Sequence, residues 1–160
     1  MFTTRMWLIG GVLGVLIGCQ EAQGDPLTDK ELLVHIHHES GGNDWAIGDH
    51  NLDNKAYGPL QIRQPFVDDV NKLYKTRYRA EDCWGNRALS IAIAKKYWAI
   101  HLTKKKLGRE PTALDRAGTL NGGPIGYKRA ATLKYRREFV AIQKCQKVGE
   151  PLKKWRAFLR

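Results

Sequence analysis

"HHESGGNDWAIGDHNLDNKAYGPLQI", residues 37–62, sets a carboxylate at the end of an apolar helical stripe and follows it at once with a loop rich in Asn, Asp and Gly. Upstream, Thr28-Asp29-Lys30-Glu31 is a Thr-x-x-Glu capping pattern, in which the Thr28 side chain and the Glu31 carboxylate satisfy orphan N–H groups of a new helix. The helix therefore starts near residue 29. Leu32, Leu33 and Ile36 fall at i, i+1 and i+4, and Glu39 stands on the same side, so the carboxylate prolongs the buried stripe. Gly41-Gly42 ends the helix.

Beyond the loop, Ala56 to Arg63 reads as a short extended piece, with Pro59 arguing against a central place in a sheet. A second helix opens at Gln64-Pro65, with Phe66, Val70, Leu73 and Tyr74 on one side, and a third follows Asn86, with Leu89, Ile93, Tyr97 and Ile100 at helical spacing. Lys104 to Glu110 is a charged, exposed linker. Pro111-Thr112 starts a fourth helix whose stripe is Leu114, Ala117, Gly118 and Asn121, again ending on a polar residue. After Gly122-Gly123-Pro124-Ile125-Gly126, a fifth helix carries Ala131, Tyr135, Phe139 and Ile142, with Cys145 near its end and Trp155 and Phe158 in a tail able to pack back. The outline is mostly α with one small extended patch.

At 160 residues the chain makes one domain, residues 25–160, behind a targeting segment, residues 1–24. Arg5 precedes a 13-residue apolar run from Met6 to Gly18, the length of a secretory h-region and short of the ~20 residues of a spanning helix. Leu16-Ile17-Gly18-Cys19 resembles a bacterial lipobox, which makes Cys19 a lipidation site; the rival is a cut after Gly24, giving a secreted product. Three cysteines less a lipidated Cys19 leave Cys83 and Cys145 either as one disulfide or as two buried thiols.

The formal charge is +11, with the basic residues concentrated in the C-terminal half. Such a field holds a protein to an anionic polymer. Export points to cell-wall polymer as the partner and away from nucleic acid, and confines membrane contact to the N-terminal lipid.

Desolvation raises the pKa of a carboxyl on the core side of a helix, so Glu39 is able to keep its proton at neutral pH and act as a general acid, as cleavage of a glycosidic bond requires. A frayed last turn with Glu39 facing water is the plain alternative. Glu39-Ser40-Gly41-Gly42, then Ala56-Tyr57-Gly58-Pro59-Leu60-Gln61-Ile62, then Asn121-Gly122-Gly123, in that order, resemble the motifs of the lysozyme-like soluble lytic transglycosylases. The Gly-Pro-Leu-Gln-Ile and Asn-Gly-Gly-Pro versions also look like those of invertebrate-type lysozymes. Leu120 departs from the residue either group usually has before Asn-Gly-Gly, and the chain lacks the many cysteines of the invertebrate type.

The resemblance implies a lysozyme-like α+β domain, mostly α, with the extended patch beside a cleft, that cuts the bond between N-acetylmuramic acid and N-acetylglucosamine in peptidoglycan. It implies Glu39 as the catalytic acid, Ser40 as its orienting neighbour, Tyr57, Gly58 and Gln61 along the saccharide cleft, and Asn121 on the N-acetyl sugar or the floor of the site. Gln61 and Asn121 can equally be structural amides at turns. Trp45 and Tyr57 are candidates for stacking on sugar faces.

A second carboxylate, Asp49 in Ile47-Gly48-Asp49, either serves a hydrolytic route or pins the loop, and a transglycosylase needs only the one Glu. His35, His37 and His38 lack the spacing of a zinc motif, so neither metal nor cofactor is expected; one histidine packs beside the cleft and the others face solvent. A monomer is expected. The rival to an enzyme is a silent wall-binding lipoprotein that keeps the fold.

Overall fold

A computed structural model describes residues 26–148. The lipobox cysteine Cys19, the targeting segment and the tail with Trp155 and Phe158 lie outside the described residues. The order is α1 (Asp29–Ser40), β1 (Ile47–Gly48), β2 (Ala56–Tyr57), α2 (Gln64–Tyr74), α3 (Arg87–His101), α4 (Lys104–Leu107), α5 (Ala113–Gly122) and α6 (Leu133–Val148), with short 3-10 turns before α3 and α6. The expected charged linker contains α4, a single exposed turn that starts on a Thr103 cap. β1 and β2 form an antiparallel pair with Ile47 opposite Tyr57. This is the α+β organisation expected, with the two strands as the extended patch. No helix among the described residues is long and apolar enough to cross a membrane.

Half of the expected capping pattern forms. Thr28 Oγ1 accepts from the Glu31 N–H at 3.2 Å, but the Glu31 carboxylate does not turn back to the helix start. It points inward and takes two hydrogen bonds from Arg116 of α5, from Nε at 2.5 Å and Nη2 at 2.6 Å. Both side chains are buried. His35, one turn along, is fully enclosed between the rings of Trp98 and Phe139, at 5.2 and 4.5 Å. Leu33 is 47% exposed, so the buried face of α1 is Leu32, His35 and Ile36, flanked by Glu31 and Val34. By spacing Leu33 belongs to the core stripe, but a buried ion pair and a buried imidazole occupy that face of α1.

α1 separates two apolar clusters. Leu32 and Ile36 join Leu60, Ile62, Val67, Val70, Ile93 and Trp98 on the α2–α3 side. Val34 joins Ala113, Ala117, Phe139 and Ile142 on the α5–α6 side. Leu73, Tyr74 and Leu114, assigned to buried stripes from spacing, are exposed, whereas Val67 and Ala113 are buried. Ala131 lies in a 3-10 turn before α6 and faces solvent.

The bridge between Cys83 and Cys145 is not formed, and both thiols are free and buried. Cys83 ends a 3-10 turn packed into the α2–α3 cluster, where burial pushes its thiol up to about 11. Cys145 rides on α6, which packs against α1 and α5, so the two thiols belong to different layers.

Breaking a buried ion pair strands one charge in a low-dielectric interior, at a cost of about 3–5 kcal/mol. Arg116→Met is therefore expected to lower stability by about that amount in denaturant unfolding, and adding Glu31→Gln is expected to restore part of the loss.

Candidate active site

Glu39 occupies the last turn of α1 and lines a cleft of about 670 Å³. Asp49 from the loop after β1, Gln61 from the turn after β2, Asp69 of α2, Tyr97 of α3 and Asn121 of α5 line the same cleft. The chain thus brings Glu39, Asp49, Gln61 and Asn121 together from segments up to 82 residues apart in sequence, the separation of Glu39 from Asn121. Ser40, Tyr57 and Gly58 are not among the lining residues. Ser40 Oγ donates back to the Ile36 carbonyl at 3.0 Å, and the Tyr57 hydroxyl lies 3.5 Å from Glu81.

Tyr135 of α6 donates its O–H to Glu39 Oε1 at 2.5 Å. Burial is the largest influence on Glu39 and pushes its carboxyl up to about 7; the negative charge of Asp49 adds to the rise, while the Tyr135 O–H and the positive charge of Arg63 pull it down. Its residual surface opens on the cleft, so the carboxyl is enclosed by protein on most sides and still reachable. Burial and the neighbouring Glu39 push the Tyr135 phenol well above its ordinary value, so it remains a donor. With Oε1 occupied as an acceptor, the proton of neutral Glu39 sits on Oε2, which has no protein partner among the described residues. That is the geometry of an acid ready to protonate a group in the cleft.

Asp49 forms an ion pair with Arg63, and both side chains remain part-exposed. Gln61 adopts a left-handed backbone, φ +47°, and its amide nitrogen donates to the carbonyls of Gly58 at 2.8 Å and Ala46 at 3.4 Å. Both of its N–H donors therefore hold the turn, which is the structural-amide alternative raised from the sequence. Gly48 makes room for that amide: a side chain there would start 2.2 Å from Gln61 Oε1. Asn121 is exposed, and its side-chain amide makes no hydrogen bond among the described residues.

The aromatic wall of the cleft differs from the one expected. Trp45 and Trp84 pack edge-to-face at 5.2 Å outside the lining residues, with the Trp84 indole N–H donating to the Trp45 carbonyl at 3.0 Å. Phe66 and Tyr97, stacked 3.5 Å apart, take that place. The histidine expectation also changes. His35 is in the core, and His38 pairs with Glu138 at 3.0 Å while its ring packs 4.0 Å from Tyr135, directly behind Glu39.

Tyr135 lies 96 residues from Glu39, and by spacing it is one more apolar position of a helix whose local signal is a phenol within that stripe. Asp69 carried no signal.

No protein-family model matches the chain, and no curated protein matches it in sequence. Solved structures do match. A chain of the crystal structure of Aeromonas hydrophila PliI in complex with Meretrix lusoria lysozyme is similar at 19% identity and TM-score 0.63, over 78% of this chain and 96% of that one. Inhibitor-bound lysozyme from Meretrix lusoria gives 19% identity and TM-score 0.62, over 81% and 99%. Tapes japonica lysozyme gives 24% and 0.59, over 70% and 87%. The fold is lysozyme-like.

Because the Tyr135 O–H favours ionised Glu39, its removal leaves burial less opposed. Tyr135→Phe is expected to move the Glu39 carboxyl above about 7, read as the midpoint of its carboxyl carbon shift in an NMR titration.

Proposed function

We propose that the protein is a peptidoglycan glycosidase that cuts the β-1,4 bond between N-acetylmuramic acid and N-acetylglucosamine, with Glu39 as acid and then base. The observation that carries this reading is a carboxyl held near pKa 7, with its free oxygen opening on a cleft of about 670 Å³. The lysozyme-like fold and the three motifs in order support it.

In the first step Glu39 Oε2–H protonates the leaving glycosidic oxygen while the sugar ring gains oxocarbenium character. The resulting carboxylate then takes a proton from the group that attacks the ring carbon. Tyr135 keeps Oε1 engaged throughout and steadies the carboxylate formed in the first step.

Asp49, in the same cleft and coupled electrostatically to Glu39, supplies the second carboxylate of a hydrolytic route, and this favours water over an internal sugar hydroxyl as the attacking group. Arg63 fixes the Asp49 side chain, so Asp49 also braces the loop. With Arg5 removed by the cut before Cys19, the formal charge of +11 becomes +10, and it holds the enzyme on its anionic polymer. The enzyme works as an exported monomer, anchored through a lipid on Cys19, without a cofactor.

Purified protein is expected to clear a peptidoglycan suspension and release muropeptides, and Glu39→Gln to slow this by about 10²–10⁴-fold with the fold intact. A wild-type protein that pellets with the wall yet releases nothing would instead be a wall-binding protein. Mass spectrometry is expected to find reducing ends; products lighter by one water would make it a transglycosylase, and Asp49→Asn is expected to slow turnover less than Glu39→Gln.

The pH dependence has a definite sign. Only protonated Glu39 acts, so the rate falls as pH rises through about 7. The folded carboxyl binds its proton more tightly than the unfolded one, whose ordinary value is 4.5, so its contribution to stability is complete below 4.5 and lost as pH rises through about 7. Glu39→Gln is therefore expected to melt above the wild type at pH 8, with the difference shrinking at lower pH.

A further inference from the structure

The α2–α3 wall of the cleft holds an acceptor and a donor that no protein group joins. Asp69 of α2 accepts from His101 Nε2 on Oδ2 at 2.9 Å, which leaves Oδ1 without a protein partner among the described residues. Tyr97 of α3 is 2% exposed, its ring stacked 3.5 Å from Phe66 and 4.4 Å from the His101 ring. Its Oη stands above the Asn121–Gly123 turn, where a methyl group on Gly123 would be 4.0 Å away, and it makes no hydrogen bond among the described residues. Both residues line the cleft, and His101 touches both. The Asp69 side chain is 41% exposed, so water meets these two polar groups while the cleft is empty, and a ligand group that accepts from one and donates to the other would take that water's place.

The chemistry of that group follows from the pair. Burial, and then the charge of Asp69, push the Tyr97 phenol well above its usual range, so it presents an O–H; the carboxylate only accepts. A sugar hydroxyl accepts and donates through one oxygen, whereas a trans acetamide points its C=O and N–H in opposite directions and fits two groups on one wall poorly. We propose that Tyr97 Oη and Asp69 Oδ1 grip one hydroxyl of a glycan strand, Tyr97 donating to the sugar oxygen and Asp69 accepting the sugar O–H. This assignment rests on the glycan reading above and deepens it. It makes the α2–α3 wall a hydroxyl-reading subsite and leaves the free amide of Asn121, on α5, for the N-acetyl group.

The test is calorimetric titration of the slowed Glu39→Gln protein, completed before appreciable cleavage, with a soluble tetrasaccharide of alternating N-acetylglucosamine and N-acetylmuramic acid. Adding Tyr97→Phe keeps the stacked ring and removes only the hydroxyl. It is expected to weaken binding about three- to tenfold at an unchanged melting temperature. Asp69→Ala is expected to weaken it similarly, and the double variant to lose less than the product of the two effects, because both groups hold one hydroxyl. If Tyr97→Phe fails to fold, Asp69→Ala carries the test, with its melting temperature as control. Equal binding by parent and Tyr97→Phe, or multiplicative losses, would overturn the subsite alone. A parent that does not bind the tetrasaccharide would overturn the glycan reading and this subsite with it.

Discussion

The buried ion pair between Glu31 and Arg116 is the constraint on which the placement of α1 depends. It locks α1 to α5 across 85 residues of sequence, through two short charge-assisted hydrogen bonds in a nearly water-free interior. Glu39 lies eight residues further along α1, about 12 Å at the helical rise, so the angle at which α1 is held sets the depth at which that carboxyl sits. α6 completes the clamp, with Phe139 against His35 and Glu138 on His38 from one turn, and Tyr135 on Glu39 from the turn before. A helix pinned at its first turn and covered along its length delivers its last side chain to a fixed place.

Two glutamates on one helix then show how surroundings decide chemistry. Both are pushed upward by burial. Glu31 has Arg116 and His35 as partners, and together they overcome burial and hold its carboxyl below the ordinary value. Glu39 receives one neutral O–H and the more distant charge of Arg63, which burial outweighs, and its carboxyl rises to about 7. The two carboxyls separate here by how directly a cation meets each: Arg116 hydrogen-bonds Glu31, whereas Arg63 acts on Glu39 through its charge alone. His35, buried beside the ion pair, is pushed down mainly by burial and stays neutral, so it adds no second positive charge to compete with Arg116.

The parts of this arrangement that depend on neighbours in sequence were legible there. Thr28 caps α1, Gly41 ends it in a left-handed conformation, Asn86 caps α3, and Thr112 with Asp115 forms a full capping box on α5. The order of motifs gave the lysozyme-like architecture, and Glu39, Asp49, Gln61 and Asn121 do share one cleft. Partners far along the chain were not legible. Glu31 reads locally as a capping residue and is claimed by Arg116; Leu33 reads as core and is displaced by His35. Tyr97 and Tyr135 read as apolar stripe positions, because helical spacing reports which face a residue takes and not what its hydroxyl will meet. The cysteines illustrate the same limit, since counting thiols says nothing of the layers that separate them.

The turn from Gly58 to Gln61 shows why some of the most recognisable residues of the sequence stand back from the cleft. A side chain at Gly58 would start 2.2 Å from the Cys83 carbonyl, so that glycine lets β2 dock on the 3-10 turn before α3. Gln61, in a left-handed conformation uncommon for a residue with a side chain, ties the turn together from within. Asp49, also left-handed, is fastened to Arg63 at the other end of the same segment. These strained positions persist only because the surrounding bonds over-determine them. Their effect is to brace the β edge of the cleft that Glu39 also lines. Asp49 and Gln61 thus brace the wall and line the cleft at once, and a short sequence motif records the first of these roles more faithfully than the second.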